Sequence, residues 1–117
     1  YDASAARIIK SAEKSLRLLG TDVLDVFLVH RPDWLTAADD TAEGLSRLIE
    51  QGKIRAAGVS NYTVHQLELL QSRLPHPVAT NQVELSLFQM QALTDGTLDQ
   101  CQRLRMKPMA WSPLGGG

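Results

Sequence analysis

Strand-length apolar runs and helix-length amphipathic runs alternate along this chain, which restricts it to very few folds. The runs Leu24 to His30, Ile54 to Ser60, Val78 to Val83 and Met109 to Ser112 are short, mostly apolar, and close on polar groups. The first is stopped at once by Arg31-Pro32-Asp33, so it reads as a buried strand that delivers one side chain, His30, to a site. The later runs deliver Ser60-Asn61, Asn81-Gln82 and Ser112 in the same way. Buried strands joined through helices form parallel sheets by right-handed crossovers, so all four carboxyl ends face one place. A closed (β/α)8 barrel or a doubly wound sheet would hold such units. The barrel is favoured, because polar residues sit at every strand end and barrels build their sites there. A doubly wound sheet would use mainly its switch point, and no glycine-rich fingerprint follows the first strand. Four strands cannot close a barrel that normally takes about 250 residues. The expectation is therefore about four consecutive units from the central portion of one barrel domain, incomplete at both ends.

The helical stretches carry their own punctuation. Ile8, Ala12, Leu16 and Leu19 form one apolar stripe, predicting a helix from about Ser4 to Leu19 that Gly20 stops. A second helix is predicted over Asp40 to Gln51, burying Ala42, Leu45, Leu48 and Ile49, with Gly52 as its stop. Thr63-Val64-His65-Gln66 matches a capping box, in which the Thr hydroxyl and Gln amide satisfy free groups at a helix start. Leu67, Leu70 and Leu74 give that helix its buried face, and Pro75 and Pro77 end it. Gly58, inside the second strand, allows close approach of another backbone or a ligand. Glu84 to Thr97 shows no clean period and reads as a long loop, of the kind that is often functional. A fourth helix is predicted over Leu98 to Arg105.

Composition narrows the partners. Twelve basic and thirteen acidic residues are interspersed to a net charge of −1, so there is no basic footprint for nucleic acid and no polybasic face for a membrane. A small molecule or a protein is the expected partner. The single cysteine supports neither a disulfide framework nor a metal cluster, and the spacing Leu98, Cys101, Leu104 makes it a buried, inert thiol. No apolar run approaches the roughly 20 residues that a membrane span needs, and the chain lacks a signal-like start, which predicts a cytoplasmic protein.

Ser15-Leu16-Arg17-Leu18-Leu19-Gly20-Thr21-Asp22 running into Leu24-Asp25-Val26-Phe27-Leu28-Val29-His30-Arg31-Pro32 resembles the aldo-keto reductases. So do Gly52-Lys53-Ile54-Arg55-Ala56-Ala57-Gly58-Val59-Ser60-Asn61 and Trp111-Ser112-Pro113-Leu114-Gly115. The motifs span essentially the whole chain in order and are most similar to a YdhF-like bacterial branch of that family. The resemblance implies a TIM barrel that transfers hydride between a nicotinamide cofactor, usually NADPH with NADH not excluded, and an aldehyde, ketone or alcohol. Of the family's catalytic Asp, Tyr, Lys and His, it places only the last in this chain, at His30. That residue would hydrogen-bond the substrate carbonyl while a Tyr supplies the proton. It also implies that Ser60, Asn61 and Gln82 hold the nicotinamide carboxamide, and that Trp111 stands where many members stack a Tyr on the ring. Ser112, Leu114 and Gly115 would approach the pyrophosphate.

Each assignment has a plainer counterpart. His30 could be a buried histidine satisfied by backbone, Ser60-Asn61 a loop cap, and Trp111 core packing. Trp34 either lines the substrate pocket or packs under the loop after His30. Tyr1, Asp2 and Tyr62 match none of the family's acids, and His65 and His76 read as solvated. The function keeps an alternative as well: a regulatory or binding protein of the same fold, like the potassium-channel beta subunits, or a truncated, inactive product. The substrate and the oligomeric state are not written in these residues.

Overall fold

The computed structural model describes residues 1–116. Helix α1 spans Ala5–Leu19, strand β1 Leu24–Val29, α2 Ala38–Glu50, β2 Ile54–Ser60, α3 Val64–Arg73, β3 Asn81–Glu84, α4 Thr97–Arg103 and β4 Met109–Trp111. The strands are all parallel and lie in the order β1-β2-β3-β4, so each pairs with its neighbour in sequence and the order never reverses. A doubly wound sheet reverses its order at a switch point. This one does not, and it forms half of a barrel wall.

The helices cover one face of the sheet. Ile8 and Ala12 of α1, Leu45 and Leu48 of α2, Leu67 and Leu70 of α3 and Cys101 of α4 pack with Val29, Ile54, Ala57 and Val59 into one apolar core. Their burial supplies the main driving force, about 1.5–3 kcal/mol for each large aliphatic side chain. Alpha1 meets α2 at Gly44, where a Cβ would lie 2.8 Å from the Ala5 Cα. On the opposite face, Leu28 pairs with Gly58, Ser60 with Gln82 and Glu84 with Trp111. The space over Gly58 is taken by the Leu28 and Thr80 side chains and by the Thr80 backbone carbonyl, which stands 3.2 Å from where a Cβ would be, so a neighbouring backbone does approach closely there.

Helix ends follow their local chemistry. Ser4 caps α1 by accepting from the Arg7 amide, and Gly20 closes it in the left-handed conformation at φ 64°. Both halves of the Thr63–Gln66 capping box form. Several boundaries differ from the sequence reading, among them that of α4, which ends at Arg103 instead of Arg105. Beta1 ends at Val29, leaving His30 just beyond it and exposed. Alpha2 begins at Ala38, two residues earlier than expected, which brings Asp39 and Asp40 into its first turn, where negative charge is favourable. Asp40 also accepts from the Ala5 amide at 3.2 Å. Beta3 begins at Asn81 instead of Val78: the Val78 amide goes to the Gln71 side chain at 2.8 Å, while the Ala79 amide still donates to the Ala57 carbonyl of β2 at 2.8 Å. His76, expected to be solvated, is half-buried.

Candidate active site

His30 and Arg31 follow β1, Ser60 and Asn61 end β2, Gln82 lies in β3 and Trp111 ends β4. These six residues line one cleft of about 310 Å³ at the carboxyl edge of the sheet. Parallel register brings them there, since it aligns the ends of neighbouring strands.

A chain of hydrogen bonds fixes most of them. The Trp111 indole N–H donates to Asn61 Oδ1 at 2.9 Å, and Asn61 Nδ2 donates to Ser60 Oγ at 2.9 Å and to the His30 carbonyl at 3.4 Å. Ser60 Oγ in turn donates to the Gln82 carbonyl at 2.9 Å, which also receives the Asn61 backbone N–H at 2.9 Å. Asn61 holds φ 59°, a left-handed conformation that asparagine tolerates better than most residues because its short side chain bonds locally. Trp111 is thereby held by its ring edge, half-buried, with its orientation set by Asn61. The Gln82 side-chain amide makes no hydrogen bond among the described residues, so it offers the cleft both a donor and an acceptor. His30 is exposed and meets the Tyr1 ring edge-on, with centroids 6.1 Å apart.

Nearby titratable groups are set apart from the cleft. Tyr62 is only 7% exposed and does not line the cleft. Burial, with the negative charge of Asp33 adding to it, pushes its hydroxyl up to about 12. Asp33 organises the loop after β1: it accepts from the Thr36 hydroxyl at 2.5 Å, the Leu35 amide at 3.1 Å and the Ala3 amide at 3.3 Å. The Thr36 and Leu35 bonds hold its carboxyl below the usual carboxylate range. Cys101 is buried on α4, and burial raises its thiol.

Other residues singled out from the sequence lie elsewhere. Trp34 is 83% exposed and borders a separate concavity with Pro32, Tyr62 and Leu69. Ser112, at φ 48°, starts a turn closed by the Gly115 N–H on the Ser112 carbonyl at 2.9 Å. Leu114 is exposed on that turn, and Gly115 packs against the Phe88 ring. None of the three lines the cleft. Sequence reasoning passed over Arg31, which borders the cleft, although its place directly after His30 was the available signal. It also passed over the Trp111–Asn61 bond, for which no local pattern exists. Among the described residues no group of His, Cys, Asp and Glu is placed to hold a metal ion, and no helix is long and apolar enough to cross a membrane.

Comparison with known proteins places this geometry. The pattern of the aldo/keto reductase family matches residues 1–117. Oxidoreductase YdhF of Escherichia coli strain K12 is 56% identical over 117 residues, which is 100% of this chain and 39% of that protein. The glycerol dehydrogenase AKR11B4 from Gluconobacter oxydans superposes with a TM-score of 0.92 at 35% identity, over 99% of this chain and 35% of that one. An aldo-keto reductase from Klebsiella pneumoniae, solved in complex with NADPH, gives a TM-score of 0.88 at 34% identity over 97% of this chain and 39% of its own. The chain thus spans about two fifths of the length of the relatives it matches. It belongs to the aldo/keto reductase family.

Proposed function

We propose that the intact gene product is a cytoplasmic reductase that uses NADPH, or alternatively NADH, to reduce the carbonyl group of small aldehydes and ketones. The observation that carries this reading is the cleft in which four successive strand ends converge, with an uncommitted Gln82 amide beside the Asn61–Trp111 pair. The residues fit a nicotinamide. A carboxamide needs both a donor and an acceptor, which the Gln82 amide offers, and the flat indole of Trp111 suits a flat ring. The second Asn61 Oδ1 lone pair adds a further acceptor. The NADPH complex of the Klebsiella pneumoniae relative supports the choice of cofactor. Ser112, Leu114 and Gly115 are assigned to the approach of the pyrophosphate, where small residues and backbone amides let phosphate come close.

When bound, the reduced nicotinamide supplies the hydride. His30, at the strand end, donates a hydrogen bond to the substrate oxygen on which negative charge develops; a donor fixed before the reaction stabilises that charge without reorganising. Gln82 and Asn61 set the depth of the ring in the cleft, and Trp111 limits its tilt. The exposed Arg31 borders the same cleft. Tyr62 is not assigned to proton transfer, because it is buried and does not line the cleft.

In the intact protein His30→Ala is expected to lower turnover of a carbonyl substrate by roughly 10- to 1,000-fold while leaving cofactor affinity nearly unchanged. Steady-state rates from NADPH absorbance and a parallel binding titration check both halves. Unchanged turnover would remove His30 from the reaction. Cofactor binding with no turnover in the unaltered protein would favour a regulatory role for the fold.

A further inference from the structure

Asn81 and Gln100 are nearly the most buried polar residues of the chain, 0% and 3% exposed, and neither lines the cleft. Asn81 sits in β3 opposite Val59, and its Nδ2 donates to the Tyr62 carbonyl at 2.9 Å. Gln100 sits on α4, and its Nε2 donates to the Val64 carbonyl at 2.8 Å. Both acceptors are backbone oxygens, so each amide must present its NH2 group to them. The remaining oxygens, Asn81 Oδ1 and Gln100 Oε1, are buried and have no hydrogen-bond partner among the described residues. Each amide thus leaves one buried oxygen unmatched, which is destabilising, while its NH2 group serves a backbone carbonyl that a leucine or methionine could not serve.

What they hold is the turn between β2 and α3. The Tyr62 carbonyl lies ahead of the Thr63 cap, where no helix amide reaches it, and the Val64 carbonyl lies just after the cap. Clamped on both sides of Thr63, the turn has little freedom. Asn61 enters it in the left-handed conformation, and Trp111 is docked on Asn61.

We propose that Asn81 and Gln100 are positioning residues for the cofactor cleft, holding the Tyr62–Val64 turn so that Asn61 and, through it, Trp111 keep their places. The functional half of this rests on the cofactor reading above. The clamp itself does not. Asn81→Leu and Gln100→Met remove the donors and keep side chains of similar length in the intact gene product. The Trp111 indole N–H is followed by NMR hydrogen exchange, assigned with Trp111→Phe and referred to the exposed Trp34. In both variants the Trp111 proton is expected to exchange roughly tenfold faster, and NADPH to bind about tenfold more weakly, with KM for the cofactor rising more than kcat falls. A merely structural role would shift the unfolding midpoint and leave these readouts alone. Should Asn81→Leu fail to fold, Gln100→Met decides. Folded variants with unaltered indole exchange overturn the proposal, and so does faster exchange with unaltered NADPH affinity. If the unaltered protein binds no NADPH, the cofactor reading fails, while indole exchange still tests the clamp.

Discussion

Burial lifts the Tyr62 hydroxyl from an ordinary 10.0 to about 12, with the charge of Asp33 as the lesser cause, and this ties stability to alkaline pH. The folded state holds the phenolic proton more tightly than the unfolded state does. The stabilisation is complete below pH 10 and is lost as the pH rises toward 12. Unfolding midpoints measured across that window should fall, and Tyr62→Phe should flatten the decline. A parallel decline in the variant would assign it to other groups. Gln82→Ala should weaken NADPH binding by about 1–3 kcal/mol, if a carboxamide group is left unpaired in the cleft. Fluorescence titration reads this, and an unaltered Kd would return Gln82 to a role in the sheet. Residues such as His30, Ser60, Asn61 and Gln82 are legible in the sequence because each stands at the polar end of an apolar run, whereas Trp111 is legible only through the family motif around it. Asn81 is legible by its polar strand end too, but its full burial is not, nor are the roles of Tyr62 and Arg31, because what matters there is how deeply a side chain is buried or which neighbour it faces. Local pattern carries neither.

Helix and strand boundaries were readable where one residue decides them, as with Gly20 at the end of α1 and Thr63 at the start of α3. They shifted where contacts outside the element take part: the Gln71 side chain takes the Val78 amide, and β3 begins at Asn81. Gly44 belongs to the second kind. An alanine in mid-helix is ordinarily favoured over glycine by about 1 kcal/mol. Here its Cβ would stand 2.8 Å from the Ala5 Cα and 3.2 Å from the Ala5 carbonyl, so α1 would have to move. Overpacking against backbone costs about 1–3 kcal/mol and outweighs the propensity gain. Gly44→Ala should therefore lower the denaturant midpoint with an unchanged m-value. A higher midpoint would show that α1 yields freely. Thr63→Ala, which removes half of the capping box, should cost about 1 kcal/mol on the same measurement.

As a whole, the alternating pattern foretold the parallel order and the shared edge at which the site lies. It did not foretell which side chains on that edge bond to one another. The cleft formed by these residues includes His30 but no tyrosine. Carbonyl reduction needs a proton donor within hydrogen-bond reach of the oxygen. The 117-residue chain purified alone is therefore expected to show no NADPH-dependent reduction of reactive aldehydes above a His30→Ala control. Turnover that vanishes in the control would mean that these residues form a working site unaided. The unreversed strand order also puts the cleft on a timetable. His30 leaves the ribosome first, then Ser60 and Asn61, then Gln82, and each strand finds its partner already made. Trp111 comes last, 50 residues after the Asn61 oxygen it bonds. At a synthesis rate of about 5–20 residues per second, roughly 3–10 seconds separate the two. During that interval the nascent chain carries His30, Ser60, Asn61 and Gln82 of the cleft without the indole whose N–H the Asn61 oxygen accepts.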